Sequence, residues 1–167
     1  MLKKSIAICI ALCFIVLPGI SQDSIRTKQQ IDSTVLMIER TGMTNHLDSI
    51  IQDNPESGLY TKTYMNLGLL GKEVKKYVNL VYSTRTEQGK TKQTKSANTF
   101  YFDHGKLIKV EEYMIEDTKR IAFDWYYQHG RLVYTTAPAN TAKERGPFLL
   151  KLATNMQELW RTKWGME

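Results

Sequence analysis

The sequence predicts an α+β fold: an antiparallel β-meander of about six strands, packed against an N-terminal helical segment and a C-terminal amphipathic helix. Three observations carry this reading. A nine-residue unit, Phe100–Ile108, recurs with like-for-like changes as Trp125–Val133, apart from Asp103 against Gln128. Each copy has three aromatics, a polar residue, His-Gly, a cation and two aliphatics, as in two strands joined by a tight turn. After Gly58 the apolar period changes from helical to alternating. Near the C-terminus, Phe148, Leu149, Leu152, Ala153, Met156, Leu159 and Trp160 form a stripe at i, i+3, i+4 spacing.

The chain has 167 residues, and its first stretch is set apart from the rest. Lys3 and Lys4 precede the apolar run Ile6–Leu17; Pro18 breaks it, and Gly19-Ile20-Ser21 supplies small residues. That order predicts a secretory signal peptide over 1–21, cleaved after Ser21. A retained anchor is disfavoured because the run falls short of the roughly 20 residues of a membrane span. A lipoprotein signal is disfavoured because bulky Leu12 precedes Cys13 inside the apolar run. The protein is thus expected to be exported, to the periplasm or the cell exterior. A single α+β domain is expected over 22–167, helical over 22–57, a sheet over 58–137 and a helix over 147–164.

Both cysteines, Cys9 and Cys13, lie in the signal. The mature chain is expected to have no disulfide, thiol nucleophile or thiolate ligand. The net charge of +6 falls to +4 without Lys3 and Lys4. That mild balance does not predict a nucleic-acid partner.

Taken in order, Ile31, Val35 and Ile38 recur at helical spacing, and Gly42 offers a stop. Thr44, Leu47, Ile50 and Ile51 then suggest a second short helix, ended at Asn54-Pro55. Strands are expected over Leu59–Leu67, Glu73–Arg85, Lys92–Phe102, Leu107–Glu116, Arg120–Tyr127 and Leu132–Thr136. Pro138 ends the meander and Ala139–Gly146 reads as a loop. Pro147 suits a first helical turn, which opens the last helix.

The spacing Tyr101…Gly105-Lys106-Leu107 and Tyr126…Gly130-Arg131-Leu132 resembles the hairpin unit of YD-type repeats and, more loosely, MORN-type units. The resemblance implies hairpins, and it implies no activity. Two copies are present where a solenoid needs about three. A third candidate near Gly71-Lys72 lacks the aromatics and the leucine.

Alternation puts Phe100, Phe102, Trp125 and Tyr127 on one face, and Tyr101 and Tyr126 on the other. If one face stays open, Tyr101, Trp125, Tyr126 and Tyr127 are the candidate ligand-binding residues. His104 and His129 sit on turns two strand spacings apart, about 10 Å. That is too far for one metal without leaning together, since a metal–nitrogen bond is about 2 Å. No metal and no cofactor is predicted. Arg85, Lys90, Lys92 and Lys95 make a basic patch that either keeps an edge hairpin soluble or meets an anionic envelope polymer or lipid headgroup.

There is no Gly-x-Ser-x-Gly, His-Glu-x-x-His, phosphate-loop or dinucleotide motif. The expected function is therefore a non-enzymatic, exported binding or accessory protein of the cell envelope. An envelope hydrolase built from scattered acids, such as Glu111, Glu112, Glu116, Asp117 and Asp124, is the alternative. A structural assembly role, with the last helix docking on a protein partner, is another.

Overall fold

A computed structural model describes residues 22–166, apart from Gln88 and Asp117. The signal-peptide reading of 1–21 lies outside the described residues. The element order is α1 (Gln22–Arg40), β1 (Thr44–Asn54), a 3₁₀ turn (Pro55–Ser57), β2 (Leu59–Leu70), β3 (Glu73–Glu87), β4 (Lys90–Asp103), β5 (Lys106–Glu116), β6 (Lys119–Gln128), β7 (Arg131–Thr135) and α2 (Ala139–Trp164). The strands form one antiparallel sheet in chain order, β1 to β7. This is the predicted α+β meander with a helix at each end of the chain.

Two boundaries differ from the sequence reading. Thr44–Asn54 is an edge strand, not a second helix, and pairs with β2 from Thr44↔Leu69 to Asn54↔Leu59. Every residue of β1 is exposed, so its Leu47/Ile50/Ile51 spacing records no buried helical face. Backbone hydrogen bonding to β2 decides its state instead. The link to β2 is closed locally: Asn54 accepts from the Ser57 N–H, and Gly58 turns the chain at φ 62°. The sheet thus has seven strands rather than six. The second correction is that α2 begins at Ala139, where a loop was expected, and carries Pro147 in its interior. Proline disfavours a helical predecessor largely by crowding that residue's Cβ. Gly146 has none, so the helix runs through.

The twin hairpins form as predicted, with one refinement. Both central residues of each turn have positive φ: His104 at 47° with Gly105 at 66°, and His129 at 50° with Gly130 at 71°. Two successive positive φ values mark the two-residue turn that matches strand twist. The β2–β3 hairpin, whose sequence match is poor, has positive φ at Gly71 and not at Lys72, yet it shares the bulge that follows. Three residues after each turn, one residue of the returning strand is extra: Lys75, Ile108 and Val133. All three hairpins therefore carry the same bulge at the same end of the sheet.

That end is where the helices sit. On one face, Phe100, Phe102, Trp125 and Tyr127 join Leu67, Val74 and Val110 under Leu149, Ala153 and Trp160 of α2. On the other, Tyr101 and Tyr126 lie under Ile31, Val35 and Ile38 of α1. Within the α2 stripe, Leu149, Ala153 and Trp160 are buried, while Phe148 and Leu159 are exposed. The predicted division of aromatics between faces is thus observed, and both faces are covered at the turn end. The opposite ends of β1 to β6 extend beyond both helices.

Candidate functional site

The four aromatics expected to line an open face are buried: Tyr101 is 4% exposed, Trp125 0%, Tyr126 1% and Tyr127 1%. They hold the layers together. The Tyr127 hydroxyl donates to the Gly146 carbonyl of α2 at 2.9 Å. On the α1 side, the Tyr101 hydroxyl donates to Glu39 at 2.7 Å, and the Tyr126 hydroxyl donates to Asp32 at 2.9 Å. Lys109, also buried, lies 3.2 Å from Asp32 and 2.8 Å from Glu111, above the Tyr126 ring. Burial alone would push the Asp32 carboxyl up, but hydrogen bonds from Lys28, Tyr126 and Lys109 leave it below the ordinary carboxylate value. Glu39 follows the same pattern, with Lys76 and Tyr101 as donors. This cluster is a polar clamp that seats α1 on the sheet.

Of the scattered acids that are described, Glu111 and Asp124 come together, and Glu112 and Glu116 are each tied to a cation. Glu112 is forked by Arg145, at 2.5 and 3.1 Å. Glu116 pairs with Lys92 at 2.5 Å. Glu111 and Asp124 are cross-strand neighbours beside Lys109 in the α1 clamp. Burial raises the Asp124 carboxyl above its ordinary value, with Lys109 opposing. Asp117 lies outside the described residues.

One three-group cluster has metal-like spacing. Ligand atoms of Glu73, Asp103 and His104 lie within 4.8 Å of one another. The Lys75 ammonium already stands between the two carboxylates, 2.6 Å from Glu73 and 3.6 Å from Asp103. A lysine there supplies the charge that a cation would bring, so the cluster is an ion-pair knot. His129 has no place in it.

The open surface lies farther along the sheet, on the α1 face beyond the helix. Register defines two neighbouring rows across the strands. One runs Ile51–Lys62–Tyr82–Lys95–Ile115–Arg120, from β1 to β6. The other runs Ser49–Tyr64–Leu80–Ala97–Tyr113–Ala122. Tyr60, Tyr64 and Tyr82 are exposed here. Tyr64 and Tyr82 meet edge to face, with ring centroids 6.0 Å apart.

Each cation of this surface rests on a tyrosine ring. The Lys62 ammonium is 4.8 Å from the Tyr64 centroid, the Lys95 ammonium 5.3 Å from Tyr82, and the Arg120 guanidinium 5.4 Å from Tyr113. Among the described residues, no carboxylate comes within ion-pair distance of these three. The Tyr64 hydroxyl beside Lys62, and the Tyr82 hydroxyl beside Lys95, raise the pKa of both lysines. Both lysines thus stay charged, and all three cationic side chains lie across aromatic faces. Two clefts flank the rows. One of about 490 Å³ includes Leu47, Tyr64, Val78 and Leu80 in its lining. The other, about 700 Å³, includes Tyr82, Gln93, Lys95 and Ile115.

The predicted basic patch is divided by this geometry. Lys95 belongs to the tyrosine rows. Lys92 pairs with Arg85 in register and projects from the opposite face, because three positions separate it from Lys95. Sequence reasoning missed Lys62, Arg120, Tyr64, Tyr82 and Tyr113. The signal that would have found them is alternation: Lys62 and Tyr64 share parity on β2, and each hairpin carries that parity to the next strand.

No helix among the described residues is long and apolar enough to cross a membrane. Comparison with protein families, with characterised proteins and with solved structures finds no match to this chain.

Proposed function

We propose that this chain is an exported, non-enzymatic binding protein of the cell envelope, and that its ligand is an anionic polymer held on the open half of the sheet. The observation that carries the reading is the set Lys62, Lys95 and Arg120, three cations on tyrosine rings with no carboxylate partner among the described residues. Structural surface lysines ordinarily sit among opposite charges. Here such charges are clustered elsewhere, on Glu39, Glu73, Glu111, Glu112 and Glu116. An anion brought from outside would supply the missing partner. The four aromatics of the twin repeat support this role indirectly, because they fix the sheet on which the surface is displayed.

The test is equilibrium binding of the mature chain to a panel of soluble anionic polymers: polygalacturonate, hyaluronate and polyphosphate. Binding to at least one is expected, weakening as salt rises, with loss in the K62A/K95A/R120A triple variant. The reading fails if the wild type binds none of them, or if the triple variant binds as the wild type does. Export is tested separately, by intact mass of the protein recovered from fractionated cells; removal of 1–21 is the expected result.

A further inference from the structure

The two edges of the sheet are unequal. At one, β7 is 5 residues long and half-buried, with Leu132 against the α2 core and Val133 and Tyr134 against α1. Short length and covering helices are ordinary guards of a sheet edge. At the other, β1 has neither. It is 11 residues long, exposed throughout, and contains no lysine, arginine or proline. Leu47, Ile50 and Ile51 stand in water on it, Leu47 at 79% exposure. At its centre the Ser49 N–H donates to the neighbouring Asp48 carboxylate at 2.7 Å.

From this edge we infer that the protein forms a two-fold dimer, in which β1 pairs antiparallel with β1 of a second copy. Residues opposite each other in an antiparallel pair either both exchange hydrogen bonds or both do not. Two identical strands can therefore meet only with the two-fold axis on a residue. Ser49 is the middle residue of Thr44–Asn54, so an axis there pairs all 11 residues. The strand then matches itself. Leu47 faces Ile51 of the second copy on either side of the axis, with the small Ser49 facing its twin between them. Asp48 faces Ile50, His46 faces Gln52 and Asp53 faces Asn45, so no like charges are opposed. Moving the axis by one residue shortens the ladder and spoils the match. On Asp48 it sets that carboxylate against its twin; on Ile50 it sets Asp53 against Leu47. Pro55, with no N–H to donate, follows directly where the ladder ends.

A strand of another protein could add to the same edge, but the match of β1 to itself favours a second copy. The two-fold contact also closes. It uses both open edges and leaves only the guarded β7 edges, so association stops at the dimer.

Sedimentation equilibrium of the mature chain over a range of concentrations tests this. A reversible monomer–dimer equilibrium with a micromolar dissociation constant is expected, and nothing larger. Leu47→Lys should weaken the dimer by about tenfold or more. Circular dichroism establishes that the variant is folded; if it is not, Ile51→Lys takes its place. Register is read by cysteine substitution, since Cys9 and Cys13 both precede the mature chain. Directly opposed residues have Cα atoms about 4.5–5.5 Å apart, within disulfide range. Ser49→Cys should therefore give a cross-linked dimer in a glutathione redox buffer. Asn45→Cys, on the same exposed strand, should not, because its twin lies opposite Asp53, roughly 27 Å along the ladder.

A chain that stays monomeric at its highest soluble concentration overturns the inference and leaves the edge to a strand of another protein. A dimer in which Ser49→Cys and Asn45→Cys cross-link alike, or not at all, overturns it too, because the contact then has another surface or register. So does a folded Leu47→Lys that dimerises as the wild type does. Assembly beyond the dimer would show that the contact does not close.

Discussion

The Tyr126 hydroxyl donates a 2.9 Å hydrogen bond to the Asp32 carboxylate, joining the start of the second repeat to the N-terminal helix. The same carboxylate receives Lys28 at 2.6 Å and Lys109 at 3.2 Å. Removing the hydroxyl alone leaves Tyr126 packed and Asp32 still paired. Tyr126→Phe is therefore expected to lower stability by about 1 kcal/mol, the ordinary net value of a hydrogen bond. Asp32→Ala should cost more, because it leaves the buried Lys109 with Glu111 alone. Urea denaturation of the three proteins checks the order; equal midpoints for wild type and Asp32→Ala would show that α1 is not clamped here.

Acid should loosen the α1 clamp and, apart from it, the Glu73–Lys75 pair. Asp32, Glu39 and Glu73 all have carboxyls held below their ordinary values. For each, burial opposes the shift and donated hydrogen bonds more than offset it. A depressed pKa in the folded state means stability that is present above the unfolded value and lost as pH falls through the folded one. The unfolded values are 3.8 for the aspartate and 4.5 for the glutamates. Stability should hold down to about pH 5 and then fall progressively. Asp32→Asn should flatten the fall. A midpoint that does not move between pH 6 and pH 3 would contradict this.

Two glycines should respond very differently to alanine. Gly105 has φ 66° and open space where a Cβ would stand. Gly105→Ala then carries only the left-handed strain, about 1–2 kcal/mol. Gly58 has φ 62°, and an added Cβ would lie 2.6 Å from the Thr86 backbone oxygen. Gly58→Ala must also shift β3, so it should be clearly the more damaging. Thermal melts of the two variants decide the matter, and similar losses would count against a close approach at Gly58.

Pro147 gives a prediction of opposite sign. It lies inside α2, exposed, and has no N–H to donate to the preceding turn. Pro147→Ala should stabilise the protein by about 1 kcal/mol or more. A loss of stability would mean that the proline sets a bend needed to seat the Tyr127–Gly146 hydrogen bond.

The contrast between what was and was not legible has a physical basis. The twin repeat was readable because its turn chemistry and aromatic alternation act within a few residues. Thr44–Asn54 was not. Its Leu47, Ile50 and Ile51 satisfy a helical spacing, yet they lie exposed on an edge strand that only pairing with β2 defines. The start of α2 is hidden because Pro147 marks a boundary by its own chemistry, and it is the glycine before it that lets the helix run through. The candidate surface escaped for a third reason. Lys62, Tyr82, Lys95 and Arg120 become neighbours only when four hairpin registers are known together.

A sheet whose strands pair in chain order has a kinetic consequence. Each hairpin closes a short loop, and local contacts of this kind favour fast folding. The α1 clamp is different: Asp32 and Tyr126 stand 94 positions apart. Closing so long a loop costs more entropy than closing any hairpin. The meander should therefore assemble first, with α1 docking late. In the interval, Tyr101 and Tyr126 would face water. The duplicated tyrosines that are buried in the finished protein are then the surface a chaperone would meet on the half-folded chain.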